Sequence, residues 1–371
     1  MCKKILMSIF ILTLDIHLSA AVWPGDTWQT ASPDSQGMSS AKLAQAPSKA
    51  EIEMGDVIVI RNGYDVWHHG DAYDRQGNTS SVVRSYLTTL YGIAIREGVI
   101  PGGTDAVERR VNSLDSATAK TFDSSVKIKH LVSYTSCGNP PGSEWNYNCN
   151  FNKMCEILME LYHGHWSEKG MVNLCDAKLK SVLRGSWYPK YWTKEQHNST
   201  SYFRIYGNPS GMAHWGYLWL HRGKWKGKQL VDPWFVDRSI QPMPKPNGSG
   251  YANENEGWQI HLNKTGVWKG LPRDCYAAMG ACDRSSILVC PSLNLVIARK
   301  GPTSSPYSDR CVDSPQRWAK PIFDAINDKV SLPTLVASWR LDGNTRESVA
   351  GLDGRPRSLL FRSKVLQDGL K

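Results

Sequence analysis

Strand-type patterning occurs near both ends of this chain, and helix-type patterning lies between them. That distribution limits the architectures open to it. Asp56 to Ile60 reads DVIVI, a β-branched run. Arg61-Asn62-Gly63 supplies turn chemistry, and Tyr64 to His68 returns, which is a hairpin signal. From Ser81 to Glu97 the period changes: Val83, Tyr86, Leu87, Leu90, Ile93 and Ala94 recur at spacings of three and four, as on one helix face. Ser80 or Ser81 caps this helix and Gly98 ends it. Residues 100–235 read mostly as helices and loops, clearest at Met154 to Tyr162 and Met212 to Leu220. Strands return at Gly257 to Leu262 and Tyr276 to Ala281. A second hairpin spans Ser286 to Cys290 and Leu293 to Lys300, and Gln316 to Asn327 is a last helix. The expected fold is α/β of the α+β kind: an antiparallel sheet built from N- and C-terminal segments, flanked by helices, with a helical region inserted.

The two ends carry different signals. Lys3 and Lys4, the apolar run Ile5 to Leu14 and the small residues Ser19-Ala20-Ala21 form a signal-peptide pattern. We therefore expect residues 1–21 to be removed and the protein to be exported, periplasmic or secreted. Residues 22–330 form the main domain. No later segment has 18 successive apolar residues, so no stable membrane insertion is expected. Residues 331–371 are turn-rich, and Trp339, Leu341, Asp342 and Gly343 resemble the first strands of a laminin-G or concanavalin-like sandwich, too short to complete one. With the 15 tryptophans, this tail keeps an envelope polysaccharide among the candidate partners. The formal charge is +10, but the basic residues are scattered; Lys224, Lys226 and Lys228 alternate with Trp225 and Gly227, as in an exposed hairpin or loop. A nucleic-acid surface would need them clustered on one face, so no nucleic-acid partner is expected. Eight cysteines follow Cys2; export permits disulfides, and the pairing is open. No CxxC pair occurs, and His163-x-His165 lacks a nearby third ligand, so no metal site is expected.

The chemistry begins at SSVVRSYL, residues 80–87. Ser81 heads the helix and Arg84 follows one turn later on the same side. A helix N-terminus favours developing negative charge, as a nucleophilic serine requires. Taken alone, the pair reads equally as a cap serine and a solvated arginine. Other blocks occur in a telling order: SPDSQGMSSAKL at 32–43, VIVIRNGYDVWHHGD at 57–71, VKIKHLVSYTS at 126–136, PGSEWNYNCN at 141–150, WGYLWLHRGKWKGKQLV at 215–231, and PRDCYAAMGACDRSSILVCPSLNLVIARKG at 272–301. Together they resemble the serine β-lactamase and penicillin-binding-protein superfamily, in its β-lactamase-related branch that includes 6-aminohexanoate-dimer hydrolase-like proteins.

The resemblance implies a hydrolase acting on a small-molecule or peptide-like ester or amide, with no metal or organic cofactor. Ser81 matches the acylated nucleophile. Arg84 stands where the family has a proton-accepting lysine, Tyr147 matches the tyrosine of Tyr-x-Asn, and Cys149 takes that asparagine's place. The third motif falls on Ala278-Met279-Gly280, with Ala278 13 residues before Pro291; Lys264-Thr265-Gly266 spells the motif in full but lies 27 residues before that proline, and reads as a turn. Ala278 and Gly280 are then expected beside substrate, as is Cys149. Backbone N–H groups of Ser81 and of a residue just after Gly280 would form the oxyanion hole. Arginine keeps its proton, so Arg84 cannot be a general base; it can assist a Tyr147 base electrostatically. Two functions stay open: a serine hydrolase using a Ser81 acyl-enzyme, weakened at Arg84, and an inactive binding protein of the cell envelope that keeps the fold.

Overall fold

The structure is a computed structural model that describes residues 21–100, 126–147, 149, 151–192, 202–280, 284–301 and 314–327. All but the last residue of the expected signal peptide 1–21, and the whole tail 331–371, lie outside the described residues.

The N-terminal hairpin forms as its pattern requires. Strand β1 (Asp56–Arg61) turns at Asn62-Gly63, both with positive φ (53° and 89°), into β2 (Tyr64–His69). Near the other end, β9 (Tyr276–Met279), β10 (Ser285–Cys290) and β11 (Leu295–Lys300) form a meander. A 3-10 turn at Pro291–Leu293, closed by Asn294 at φ 47°, joins the last two. β1 pairs antiparallel with β11, Asp56 opposite Lys300 and Arg61 opposite Leu295. With β8 (His261–Leu262) on the far edge, the order is β2-β1-β11-β10-β9-β8.

Both faces of this sheet are covered, so β1, β10 and β11 are buried along their whole length. On one face Ile58, Ile60, Ile287, Val289, Val296 and Ala298 join the larger core. Helix α2 (Val83–Arg96) and helix α6 (Pro209–Leu220) belong to that core. A Cβ on Gly216 of α6 would lie 2.6 Å from Val296 and 2.7 Å from Ile287, so the helix backbone rests directly on the sheet. On the opposite face Val57, Val59, Leu288 and Ile297 pack against α1 (Ser40–Lys49) and α8 (Gln316–Asp324).

Between α2 and α6 lie α3 (Ile128–Val132), α4 (Phe151–His163) and α5 (Glu168–Cys175). After α6 comes α7 (Pro233–Ser239). The reading of 100–235 as helices and loops missed one feature. Strands β4 (Trp187–Trp192) and β5 (Tyr202–Gly207) pair antiparallel, and β3 (Gly77–Asn78) adds to β5 just before Ser80. The Lys224–Lys228 alternation is the expected exposed hairpin, β6 (Lys224–Trp225) and β7 (Lys228–Gln229), turned through Lys226 and Gly227 at positive φ. The strand expected over Gly257 to Leu262 shrinks to β8, because Gln259 adopts φ 58° and breaks the extended run. Lys264-Thr265-Gly266 is indeed a turn after β8: Gly266 has φ 77° and its N–H donates to the Asn263 carbonyl at 2.9 Å.

Candidate active site

Ser81 is placed by the strand that precedes it. Thr79 is fully buried and ties to β5 twice, its N–H and its hydroxyl both donating to the Ile205 carbonyl (3.0 and 2.9 Å). The chain then reverses at Ser80, whose φ is 54°. A non-glycine residue in this left-handed region costs on the order of 1–2 kcal/mol and persists only where its surroundings over-determine it. Here the Asn78 side-chain oxygen accepts the Ser80 N–H at 3.0 Å, and Val82 and Val83 are buried on the far side. A 3-10 turn at Ser80–Val82 leads into α2. Ser81 is therefore half-buried at a helix N-terminus, and its hydroxyl makes no hydrogen bond to a described residue.

The end of β9 closes against this corner. The Gly280 N–H donates to the Ser285 carbonyl at 2.6 Å, and a Cβ on Gly280 would lie 2.8 Å from the Thr79 carbonyl and 2.9 Å from the Ser80 Cβ. Only glycine lets the two backbones approach so closely. The end of β9 and the start of α2 thus lie in direct contact, with Ser81 beside the junction. The residue after Gly280 lies outside the described residues.

Arg84 points into the site. Its guanidinium donates to the Tyr147 carbonyl at 2.9 Å and lies 4.2 Å from the centre of the Tyr147 ring and 5.3 Å from that of Tyr134. A planar cation on aromatic faces is favourable, more so when desolvated. Tyr134 adopts φ 59° and is buried; burial pushes its phenol well above the usual range, Arg84 opposes that, and Tyr147 and Glu256 add to it. Trp145 completes the cluster, 6.1 Å from Tyr134 and 6.0 Å from Tyr147 between ring centres. The arrangement places a permanent positive charge one helical turn from Ser81, where it favours an anion on Ser81 or on the Tyr147 phenol. It cannot take a proton itself.

Two of the expected substrate contacts are placed differently. Cys149 offers no thiol: it is 3% exposed and forms a disulfide with Cys137, with a Cα–Cα distance of 6.0 Å. Its sulfur lies 3.0 Å from the Ser136 hydroxyl. Ala278 is fully buried, paired with Ile287 inside the larger core, so its side chain presents no surface to a ligand. Gly280 alone of the three lies against the Ser80–Ser81 corner. A second disulfide joins Cys275 and Cys290, while Cys155 and Cys175 are buried free thiols.

Tyr134, Glu256, His261 and Lys300 were not singled out from the sequence. Glu256 is buried and binds His261 Nδ1 at 2.6 Å across a bridge beyond β8. The Ser85 hydroxyl donates to the Gln259 carbonyl at 2.6 Å, which ties this segment to α2. Lys300 is buried behind the 77–80 segment, its Nζ donating to the Gly207 carbonyl at 3.3 Å. Burial, with Arg75 nearby, lowers its pKa to about 8, and Asp56 works the other way. Lys300 meets its neighbours Gly207 and Gly77 only through packing between distant segments, so local spacing carries no signal for it. Among the described residues no group of acidic, histidine and cysteine side chains is arranged to hold a metal, and no helix is long and apolar enough to cross a membrane. A surface cavity of about 210 Å³ lies elsewhere, between α1 and α8, lined by Lys42, Lys49, Arg317 and Lys320 among others.

No family model matches the chain. Among curated proteins, an uncharacterised protein of Alkalihalophilus pseudofirmus is 21% identical over 255 residues, covering 61% of this chain and 73% of the relative. Solved structures resemble it over greater lengths. A penicillin-binding-protein homologue from Caulobacter crescentus superposes with a TM-score of 0.56 at 11% identity, over 82% of this chain and 99% of its own. A family VIII carboxylesterase gives 0.53 at 13% identity, over 82% and 98%. A β-lactamase from Mycobacterium bovis gives 0.50 at 14% identity, over 77% and 97%. At such identities the likeness establishes the fold.

Proposed function

We propose, from the serine β-lactamase and penicillin-binding-protein fold that this chain has, that it is an exported serine hydrolase that cleaves a small ester or amide through an acyl-enzyme on Ser81. The observation that carries this reading is the corner itself: a half-buried serine at the start of α2, after a strained Ser80, with the glycine edge of β9 against it. In the reaction the Ser81 oxygen attacks the carbonyl as its proton passes to Tyr147, held as the phenolate beside the Arg84 guanidinium, and the tetrahedral oxyanion then collapses to expel the leaving group. The leaving alcohol or amine takes that proton, and water then releases the acyl group by the same relay. A lysine-to-arginine exchange removes a neutral amine base, so activity is expected below that of a lysine-bearing site, by up to about 10²–10⁴-fold. Two disulfides accord with an oxidising compartment.

The test is a fluorophosphonate probe read by mass spectrometry. Labelling at Ser81 that disappears in Ser81→Ala supports the reading; a folded protein that never labels there contradicts it.

One observation favours a second reading, a binding protein without turnover: the Ser81 hydroxyl is unengaged while Arg84 is held by Tyr134 and Tyr147. In that case Arg84→Lys creates or greatly raises esterase activity. If Arg84→Lys instead abolishes an existing activity, the second reading fails.

A further inference from the structure

We propose that the Cys137–Cys149 disulfide is the positioning device for Tyr147, and that a thiol reductant opens it and releases Tyr147 from the cleft. This rests on the reading of Ser81 and Tyr147 as the reacting pair. Its basis is the way the segment from Tyr134 to Cys149 is built. The Asn146 N–H donates to the Tyr134 carbonyl at 2.8 Å, and the Cys149 N–H donates to the Asn146 carbonyl at 3.0 Å. The Gly142 N–H closes the intervening loop on the Thr135 carbonyl at 2.8 Å. Tyr147 lies between the first of these bonds and the disulfide, with Arg84 on its carbonyl and ring. Its ring is only half-buried. The covalent link at Cys149, two residues on, thus fixes the outer end of the segment that carries the phenol.

The two disulfides differ in access. Cys275 and Cys290 are 1% and 0% exposed within the smaller core. Cys149 is buried as well, but Cys137 is exposed. Thiol–disulfide exchange requires a thiolate to reach one sulfur in line with the bond. An external thiolate can therefore attack the Cys137 sulfur, with the electron pair of the S–S bond leaving on Cys149. The Ser136 hydroxyl, 3.0 Å from that sulfur, can donate a hydrogen bond to the departing thiolate. Cys149 then takes up a proton, and a second thiol resolves the mixed disulfide on Cys137. Two reductant thiols become one disulfide, and two protein thiols form. The buried pair offers no such path in the folded state.

The experiment is a dithiothreitol titration of the native protein, followed by thiol alkylation and peptide mass spectrometry. Cys137 and Cys149 are expected to be alkylated together at reductant concentrations that leave Cys275 and Cys290 intact. On the same samples, fluorophosphonate labelling at Ser81 should slow at least tenfold and recover on reoxidation. Cys137→Ser/Cys149→Ser should be slow from the outset and indifferent to reductant, with kcat lowered more than KM is raised for any ester that is turned over. Amide hydrogen exchange supplies a readout independent of chemistry: opening should raise exchange in 145–149 at least tenfold while β9–β11 stay protected. Failure of Ser81 to label in either state overturns the catalytic reading alone, and the exchange result still decides the positioning claim. Unchanged exchange in 145–149 after complete opening of Cys137–Cys149, unchanged labelling of a reactive Ser81, or opening of Cys275–Cys290 first would overturn the proposal.

Discussion

Replacement of Gly280 by alanine puts the cleft geometry to a quantitative test. The new Cβ would lie 2.8 Å from the Thr79 carbonyl oxygen and 2.9 Å from the Ser80 Cβ. Ordinary contact begins at 3.4 Å, so the end of β9 and the 79–80 backbone must separate by about 0.5 Å. Neither side yields easily. Thr79 is held to β5 by two hydrogen bonds, and Gly280 is held to Ser285. Overpacking of this kind costs about 1–3 kcal/mol, against which alanine recovers about 0.4–1 kcal/mol by restricting the unfolded chain. The net loss of about 1–2 kcal/mol corresponds to a fall in Tm of roughly 1–3 °C for a chain of this size. The catalytic effect is larger in proportion. A displacement of about 1 Å at a reacting group can cost about 10²-fold, so half of that implies roughly tenfold lower reactivity at Ser81. The assays are thermal unfolding and the rate of fluorophosphonate labelling. Gly25→Ala is the control, since its Cβ would meet only the Thr27 carbonyl at 3.8 Å. If Gly280→Ala matches wild type in both assays, β9 does not press on the nucleophile corner and the cleft is wrongly drawn.

Other expectations follow from buried polar contacts. Trp215 and Trp219 both donate through Nε1 to the Thr89 hydroxyl at 2.9 Å; Thr89→Val orphans both indoles and should cost about 2–4 kcal/mol in denaturant unfolding, while Thr89→Ser should recover most of it. His214 lies among Trp28 and Trp225, its Nδ1–H placed to donate to the Ser210 carbonyl at 3.0 Å, and burial lowers its pKa to about 4 from 6.5. The unfolded chain then takes up its proton near pH 6.5 and the folded one only near pH 4, so stability should decline by up to about 3 kcal/mol as pH falls through that window. The difference in unfolding free energy between wild type and His214→Asn, measured from pH 7.5 to 4, should carry that slope; parallel curves would refute it. Arg84→Ala removes the cation from both tyrosine rings, so labelling at Ser81 should slow at neutral pH and regain rate as the pH is raised, whereas wild type gains little; equal pH profiles would refute the electrostatic role.

The sheet was legible because its strands announce themselves locally. After Asp56 and after Ser285-Ser286, the runs VIVI and ILVC are β-branched or apolar, as strands covered on both faces require, and the turns between partners carry Asn-Gly and Pro-Ser-Leu-Asn. The place of Ser81 at the start of α2 was legible from the helix period that follows it, and that of Gly280 at the end of β9 from its distance to Pro291. What the sequence hid depends on pairing over distance. β4 and β5 carry Trp, Tyr and Pro on either side of a polar stretch, and their pairing with each other and with β3 makes them strands. Tyr134 reads as one more apolar residue of a helix end, yet its φ of 59° brings it beneath Arg84. Cys149 looked like a lost amide because a disulfide partner cannot be chosen from spacing. Ala278 was placed correctly on its strand, but register alone decides that its side chain enters the core.

The pairing of β1 with β11 also bears on how the chain is made. Asp56 faces Lys300, and the central strand of the sheet is among the last to be synthesised. At roughly 5–20 residues per second, the first hairpin waits on the order of 10–50 s before its partner exists. During that interval a strand buried on both sides in the finished protein has an open hydrogen-bonding edge and two uncovered apolar faces, the condition in which chains associate wrongly. A chaperone covering the first hairpin, or passage across a membrane before folding, would shield it during that interval. Delayed completion of this kind keeps a chain unfolded long enough to be transported.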